Sequence, residues 1–167
     1  MAARRSAGIL LVRVAENGAI EFLLVHPGGP FWAKKDSGAW SIPKGEYVDD
    51  DDPEECARRE FREELGVDCP VADLTALGEI VQSGGKHVLA WCGVGSIDTS
   101  TIDSNTFEME WPPKSGRMQC FPEVDRAGYF DLETAEDKMI PGQRPFLERA
   151  LRVVGDIGDV GDVGGQL

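Results

Sequence analysis

The amino-acid sequence predicts a single α+β domain. Segments rich in aliphatic and β-branched residues, which are typical of strands, outnumber the segments with helical periodicity. The 167 residues match the usual length of one domain, and 41% of them are hydrophobic, which is enough for a packed core. We therefore expect one domain over residues 1–154 and a Gly/Asp-rich acidic tail over residues 155–167.

A β-hairpin and a long loop are predicted first. Strands are expected over residues 7–14 and 20–26, on either side of Glu16-Asn17-Gly18. The pair Asn-Gly favours a tight turn because both residues tolerate positive φ. Residues 27–39 combine glycines, prolines, lysines and aromatic residues without any period, which predicts a surface loop long enough to line a pocket.

The clearest helix signal begins at Asp52. Asp52 is a suitable N-cap, Pro53 suits the first helical position, and Glu55 has the spacing of a capping box. Gly66 is expected to end the helix. An apolar stripe at four-residue spacing predicts that the helix packs on a sheet, and it consists of Ala57, Phe61 and Leu65.

The second half of the chain is predicted to add three strands and two short helices. The strands are expected over residues 77–82, 87–94 and 127–130, and the helices over residues 131–138 and 145–154. Gly155 is expected to end the last helix. The residues after it contain too few large apolar side chains to offset the entropy of ordering, so a flexible acidic end is predicted.

The charge balance restricts the partners. The chain has 30 acidic and 17 basic residues, and its formal net charge of −13 repels nucleic-acid backbones and anionic membranes. We therefore expect neither nucleic acid nor a membrane as a partner. A small anionic substrate is compatible with this charge when divalent cations stand between it and an acidic site.

Cysteine usage and the N-terminal residues indicate a cytoplasmic protein. The four cysteines form no CxxC pair, and the two histidines lack zinc-finger spacing, so free thiols are expected. The apolar run over residues 8–12 is interrupted by Arg13 and is too short for a signal or spanning segment. The sequence leaves open whether the protein is a monomer or a homodimer.

Three carboxylates are concentrated on one face of the central helix. Glu60, Glu63 and Glu64 are spaced i, i+3 and i+4, so their side chains are neighbours and destabilise the helix by roughly a few tenths of a kcal/mol per pair. Mg²⁺ or Mn²⁺ prefers carboxylate oxygens and substrate phosphates, and would remove this conflict. A solvated acidic face is the alternative, but the helix cap, Gly45 and Arg59 favour a metal site.

The stretch from Gly45 to Val67 resembles the Nudix box, G-x5-E-x7-R-E-U-x-E-E-x-G-U, in which U is a bulky aliphatic residue. Asp51 stands where the family has its first glutamate, and Phe61 stands at an aliphatic position. Further segments are similar to a bacterial Nudix group of predicted nucleoside triphosphate pyrophosphohydrolases, namely residues 21–32, 40–45, 104–113 and 121–126. The lead-in Pro43-Lys44-Gly45 is similar to the diadenosine polyphosphate hydrolase branch.

The resemblance implies an α/β/α sandwich with a mixed, curved sheet. It also implies that water attacks a phosphorus of a nucleoside diphosphate linked to another group. By position, the metal ions would be bound by the carbonyl of Gly45 and by the carboxylates of Glu60, Glu63 and Glu64. Arg59 would orient these glutamates.

The partner of Arg59 is left open by the sequence. In the family, the first acid of the box pairs with the arginine and braces the loop against the helix. Here Asp51 is shorter than the glutamate of the family, and Asp50 and Asp52 are neighbouring candidates for the same pairing.

Several residues outside the box are candidates for proton transfer or substrate binding. The family places its general base either on a box glutamate or on an acid of a later loop. Acids in proline-bearing, irregular segments are candidates for the base or for an extra metal ligand, namely Glu108, Glu110 and Glu123. Trp32 and Trp111 stand in predicted loops where an indole can stack on a purine. Lys35 and Lys44 flank the site and offer positive charge for phosphates.

The residues and the resemblance together predict a Mg²⁺- or Mn²⁺-dependent hydrolase that splits a pyrophosphate bond in a nucleotide. A dinucleoside polyphosphate, such as diadenosine tetraphosphate split to ATP and AMP, is the first expectation. Hydrolysis of normal or oxidised nucleoside triphosphates is the second. A Nudix module that binds a nucleotide without cleaving it is the third, but the intact acid cluster argues against it. A calcium site on residues 49–52 lacks the alternating acids of an EF-hand loop.

Overall fold

The computed structural model describes the backbone of residues 4–165 and the side chains of residues 4–155. These residues form eight strands and three α-helices. In chain order the elements are β1 (Arg5–Val14), β2 (Ile20–Pro27), β3 (Lys44–Glu46), α1 (Pro53–Leu65), β4 (Thr75–Val81), β5 (His87–Val94), β6 (Thr106–Glu110), β7 (Met118–Pro122), β8 (Val124–Asp131), α2 (Leu132–Lys138) and α3 (Pro145–Gly165).

Six of the strands form one mixed sheet. Its order is β4-β5-β1-β2-β8, and β3 pairs with part of β1. β1 and β5 run parallel, whereas the other pairs are antiparallel. The predicted strands of this sheet are confirmed within a few residues at each end, and so is the α+β class.

β1 supplies both hydrophobic cores, because successive side chains of a strand point to opposite faces. Ile9 and Leu11 pack with α1 on one face, whereas Leu10 and Val12 pack with α2 and α3 on the other. All four side chains are fully buried. The helices therefore cover both faces of the sheet, which is the α/β/α sandwich that the resemblance implies.

The structure confirms α1 and both of its ends. The Asp52 carboxylate accepts a hydrogen bond from the backbone N–H of Glu54, 3.3 Å away. Gly66 ends the helix in the left-handed conformation with φ of 80°, which a glycine adopts without strain. The predicted stripe of Ala57, Phe61 and Leu65 is fully buried. Phe61 therefore fills the core at a position that is aliphatic in the Nudix box.

Irregular segments were predicted around Glu108 and Glu110. These residues instead belong to a β-hairpin. β6 and β7 pair in register from Thr106 opposite Pro122 to Glu110 opposite Met118. Phe107 faces Phe121 across the pair, with ring centroids 6.0 Å apart. The prolines stand in the turn and at the end of a strand, where they remove no interior ladder bond, so they were misleading as signs of a loop.

The prediction that Gly155 ends the last helix is wrong. α3 continues to Gly165, and Gly155 keeps helical backbone geometry. Glycine lowers helix stability by about 1 kcal/mol relative to alanine, but it donates and accepts the same helical hydrogen bonds. The predicted tail is thus helical as far as Gly165, and residues 166–167 lie outside the described residues.

No helix in the described part of the chain is both long enough and apolar enough to cross a membrane.

Candidate active site

β3 places the segment before α1 beside the acidic face of that helix. Gly45 lies opposite Ala7 in the β1–β3 pairing. The buried stripe of α1 fixes the helix against β1, and β3 contacts the same helix. The backbone N–H of Lys44 donates a hydrogen bond to Oε2 of Glu64, 3.2 Å away. The loop and the helix are therefore joined at the acid cluster.

Glu60, Glu63 and Glu64 share one cleft, as their spacing predicts. The cleft has a volume of about 610 Å³. It is also lined by residues from the start of the chain, from β3, from the β4–β5 turn and from the segments around the β6–β7 hairpin, namely Arg4, Lys44, Gly45, Glu46, Lys86, Asn105, Thr106 and Glu123. The site thus combines an acidic wall with several cations.

Burial changes the proton affinity of two of these acids. Burial raises the pKa of Glu64 to about 8, although the charge of Lys44 acts in the opposite direction. Burial and the nearby charge of Glu63 also raise the pKa of Glu60, against the effect of Arg59. Among the described residues, the charges of Arg59 and Lys44 therefore offset the effect of burial on these two carboxylates only in part.

Gly45 lets the Glu60 carboxylate lie directly against the β3 backbone. A methyl group at Gly45 would overlap the Glu60 carboxyl carbon and both of its oxygens. Gly45 has no positive φ, so the absence of a side chain is required by the close approach and not by backbone conformation. This contact places the Glu60 carboxylate next to the backbone whose carbonyl the resemblance implies as a ligand.

Arg59 contacts acids of its own helix. Its guanidinium lies 3.6 Å from Oε1 of Glu60 and 3.8 Å from Oε1 of Glu63. Asp51 instead accepts a hydrogen bond from the backbone N–H of Val48 at 3.3 Å. Among residues 4–155, no ion pair joins Arg59 to Asp50, Asp51 or Asp52. The family bracing pair is therefore absent, because an aspartate at 51 turns back onto its own loop.

The structure brings some of the other predicted site residues to the cleft and leaves others away from it. Lys44 and Glu123 line the cleft. Trp32 lines a second cavity of about 220 Å³ that shares Lys44, Glu64 and Glu123 with the cleft. Apart from Arg59, which contacts the acids from its own helix, the predicted residues that line neither cavity are Lys35, Glu108, Glu110 and Trp111.

Lys35 and Glu110 instead make local contacts. The ammonium of Lys35 lies 4.9 Å from the ring centre of Trp32. Glu110 accepts a hydrogen bond from the backbone N–H of Lys114 in the hairpin turn. Lys35 is thus placed to support the Trp32 ring, whereas Glu110 shapes the turn.

Sequence reasoning missed the cations Arg4 and Lys86 and the amide of Asn105. Burial lowers the pKa of Lys86 to about 8, and the charge of Lys44 acts in the same direction, while Glu46 opposes both. Arg4 pairs with Glu46 at 2.6 Å. The parallel pairing of β1 with β5 brings Arg4 and Lys86 together. No local pattern marks these residues, since their proximity arises only from tertiary pairing.

The family model described as NUDIX domain matches residues 2–150. The chain belongs to the Nudix family. It is a Nudix hydrolase, a pyrophosphohydrolase of nucleoside diphosphate-linked compounds. The stretch from Gly45 to Val67 is its Nudix box, with Asp51 and Phe61 as its two departures from the pattern.

Solved structures share the Nudix fold at low sequence identity. The NUDIX domain of Shewanella oneidensis NrtR, complexed with ADP ribose, has a TM-score of 0.62 and 16% identity, over 92% of this chain and 90% of that chain. A C. elegans Ap4A hydrolase in a binary complex has a TM-score of 0.60 and 20% identity, over 90% and 98% of the two chains. No curated protein sequence matches significantly. At these identities the likeness shows the fold alone.

The box carboxylates of this Nudix hydrolase are of the kind that binds a divalent metal ion, and hydrolases of the family use such ions. Among the described residues, no three Asp, Glu, His or Cys side chains converge closely enough to coordinate one ion as they stand. The box glutamates nevertheless line one cleft, and burial raises the pKa of two of them. Hard cations prefer such oxygen ligands. Glu60, Glu63 and Glu64 are therefore the side chains that would hold the ion.

Without divalent ions, we expect the free energy of unfolding to fall as the pH rises from 4.5 to about 8. Glu64 has an ordinary pKa of 4.5 and a pKa of about 8 in the fold, so between these values the folded state holds a proton that the unfolded chain has released. Proton binding at Glu64 therefore makes its full contribution to the free energy of unfolding below pH 4.5. This contribution is lost as the pH rises past about 8.

Urea unfolding in EDTA across this pH range measures the effect. Replacing Glu64 by glutamine removes the ionisable group, so the profile of E64Q should be flatter than that of the wild type. Glu55 is exposed on the same helix, and E55Q should keep the wild-type slope. Parallel profiles for E64Q and the wild type would contradict a buried, proton-binding carboxyl at Glu64.

Replacing Gly45 by alanine should weaken activation by Mg²⁺. The added methyl group displaces the Glu60 carboxylate from β3, and we expect the Mg²⁺ concentration for half-maximal activity to rise about 10- to 100-fold, as for other changes that misorient metal ligands. Gly155→Ala is the matched control, because a methyl group there meets open space. Equal Mg²⁺ activation curves for G45A and G155A would show that the close approach of Glu60 to β3 has no effect on activation by Mg²⁺.

Proposed function

We propose that this Nudix hydrolase cleaves dinucleoside polyphosphates in the presence of Mg²⁺ or Mn²⁺, splitting diadenosine tetraphosphate into ATP and AMP. The observation that carries the proposal is the junction of the acidic cleft with an aromatic cavity. The second cavity, walled by Trp32, shares Lys44 and Glu64 with the cleft. A chain of phosphates in the cleft therefore has an apolar wall within reach for its nucleobase.

The cations of the cleft are suited to phosphates that metal ions do not bind. Burial and, to a smaller extent, the charge of Lys44 lower the pKa of Lys86, and both lysines line the cleft that holds the glutamates. A phosphate placed between them would compensate both charges. Arg4, whose guanidinium forms an ion pair with Glu46, lines the same cleft. Lys44, Lys86 and Arg4 are therefore the proposed phosphate-binding groups, and Trp32 is the proposed base-binding group.

The reaction requires a water oxygen to bond to phosphorus, a bridging P–O bond to break and a water proton to reach a carboxylate. When bound, the divalent ions would neutralise phosphate oxygens and lower the pKa of the attacking water. Arg59 contacts Glu60 and Glu63 and would hold them in orientation. Five carboxylates line the cleft, and of these Glu64 and Glu123 are the ones that we propose as acceptors of the proton.

A nucleoside triphosphate is the second candidate substrate. The cleft together with the Trp32 cavity accommodates one phosphate chain and one base, and nothing in these two cavities requires a second nucleoside. Such an activity would release a monophosphate and pyrophosphate.

The proposal places the enzyme in the cytoplasm, as a monomer or homodimer that acts on small nucleotides and does not bind nucleic acid. The four cysteines are free thiols, in keeping with a reducing compartment. The net charge of −13 disfavours long polyanions.

Product analysis in water labelled with heavy oxygen tests the choice of substrate. The enzyme is incubated with Mg²⁺ and, separately, with diadenosine tetraphosphate, ATP, dATP, oxidised purine triphosphates and ADP-sugars. We expect ATP and AMP from diadenosine tetraphosphate, with the label on only one of the two, because water attacks one phosphorus. Rapid turnover of triphosphates with none of the dinucleotide would replace the proposal by the second candidate.

Replacing Glu64 by glutamine should lower turnover about 10²- to 10⁴-fold, as expected for loss of a group that transfers a proton or holds the catalytic ion. The circular dichroism spectrum should remain that of the wild type, since glutamine keeps the size of the side chain. E55Q on the exposed part of α1 should retain full turnover. An E64Q enzyme with wild-type turnover would mean that the metal site is assigned to the wrong residues.

A further inference from the structure

His26, near the end of β2, is a buried titratable group that the proposed reaction does not use. Its side chain has no exposed surface, whereas the side chain of His87, the second histidine, is 32% exposed. The His26 ring packs edge to face on Trp40, with ring centroids 5.2 Å apart. Because buried polar atoms require hydrogen-bond partners, the partners of this ring indicate what it does.

Both ring nitrogens of His26 face oxygen atoms. Nδ1 lies 2.8 Å from Oδ1 of Asp125, and Nε2 lies 2.6 Å from the backbone carbonyl oxygen of Lys35. A carbonyl oxygen and an ionised carboxylate accept hydrogen bonds and donate none. A neutral imidazole has one N–H, so it would leave a nitrogen lone pair against one of these oxygens, whereas an imidazolium donates to both. The two contacts therefore fit the doubly protonated ring.

An irregularity in the pairing of β2 with β8 brings Asp125 to the ring. Arg126 lies opposite His26 and Val124 lies opposite Pro27, so Asp125 is an extra residue between two paired positions. Bulges of this kind occur beside functional sites, where they redirect a side chain. The Asp125 side chain is 33% exposed, so water as well as the ring compensates its charge.

Further charged groups lie around His26 on the neighbouring elements. Arg126 and Lys138 oppose a positive charge on the ring, whereas Asp125 and Asp36 favour it. Asp36 is paired with Lys138 at 2.8 Å, and Arg126 lies 3.7 Å from Oδ1 of Asp125. Of these four groups, Asp125 alone forms a hydrogen bond with the ring, so its charge acts at the shortest distance.

His26 holds the part of the loop of residues 28–39 that carries Trp32. The carbonyl of Lys35 is bound to His26, and the N–H of Lys35 donates a hydrogen bond to the carbonyl of Trp32, 3.0 Å away. The Lys35 ammonium also lies over the Trp32 ring. Since Trp32 lines the second cavity, the position of this wall depends on the Lys35 peptide groups that His26 holds.

We propose that His26, as an imidazolium, is a positioning residue that ties the Lys35 carbonyl to Asp125 of β8 and so holds Trp32 at the second cavity. Loss of one ring proton removes one of the two hydrogen bonds, so the loop should loosen as the pH rises. The two contacts are independent of substrate. The expected effect on substrate binding rests on the proposed function, in which Trp32 receives the base.

Replacing Asp125 by asparagine makes the second ring proton unnecessary. The amide of asparagine can donate a hydrogen bond to Nδ1 of a neutral ring, which leaves the Nε2 proton for the Lys35 carbonyl. D125N should therefore keep both contacts with one ring proton. E79Q is the matched control, because Glu79 lies 2.8 Å from Nδ1 of His87 on β4 and β5, at the other side of the sheet from β8.

Nuclear magnetic resonance of protein with nitrogen-15-labelled histidine, at neutral pH and without substrate, measures the state of the ring. In the wild type and in E79Q, both nitrogens of His26 should show a one-bond coupling to a proton. In D125N only Nε2 should show it. The signals of His26 are assigned by their absence in H26Q. A wild-type ring with a single proton at neutral pH overturns the inference.

Hydrogen exchange followed by mass spectrometry measures the loop. Above the pH at which the wild-type ring loses its second proton, residues 28–39 should exchange faster in the wild type than in D125N at the same pH. Comparison at equal pH removes the intrinsic pH dependence of exchange, and E79Q should follow the wild type. Equal exchange of the wild type and D125N on both sides of that pH overturns the inference.

Steady-state kinetics connects the loop to substrate binding. A glutamine at position 26 can reach one of the two oxygen atoms but not both. H26Q should raise KM for diadenosine tetraphosphate about 5- to 100-fold, which is the range for loss of one base stack. Its kcat should change little, since the acidic cluster lies on α1. A lower kcat with unchanged KM overturns the positioning role. If H26Q does not fold, the wild type and D125N above the same pH provide this comparison.

These measurements separate the inference from the proposed function. If diadenosine tetraphosphate is not hydrolysed, the proposed function fails, whereas the ring protons and the loop exchange, which are measured without substrate, still support or overturn the inference.

Discussion

The fixed position of α1 is the constraint on which the rest of the site depends. Phe61 and Leu65 are fully buried against the sheet, so the helix cannot rotate to turn its carboxylates out of the cleft. Glu60 is held against the backbone at Gly45, and Glu64 accepts a hydrogen bond from the backbone N–H of Lys44. Packing energy therefore holds the three carboxylates in the cleft, where a bound divalent cation would compensate their charge.

The parts of the site that the sequence predicted are those encoded by local signals. Asp52, Pro53 and Gly66 mark the ends of α1, and four-residue spacing marks its buried stripe. Once the helix is defined, geometry alone makes neighbours of the acids at i, i+3 and i+4. The same reasoning predicted the first hairpin, because Asn-Gly determines its turn within a few residues.

The parts that the sequence did not predict depend on contacts between distant segments. Lys86 and Arg4 reach the cleft through the parallel pairing of β1 with β5, which leaves no local pattern. The β6–β7 hairpin was hidden by prolines, although Phe107 and Phe121 stabilise it across the strands. Asp51 departs from its family role because its short side chain reaches its own loop, not Arg59. A glycine inside α3 was mistaken for a stop, since glycine weakens a helix without blocking it.

The site is therefore built from two kinds of segment. One kind is defined by local sequence signals, and the other depends on contacts between residues that are distant in sequence. The three carboxylates of the acidic cluster lie on one helix, where their spacing makes them neighbours. The walls around them come from segments that are remote in sequence. The loop of residues 28–32 and the β6–β7 hairpin pack closely because Gly28 has no side chain towards Pro122 and Gly29 has none towards Phe107. Residues of these walls can change without disturbing the packing of α1 against β1. Substrate choice can therefore vary in this fold while the acidic cleft, which depends on the core, stays the same.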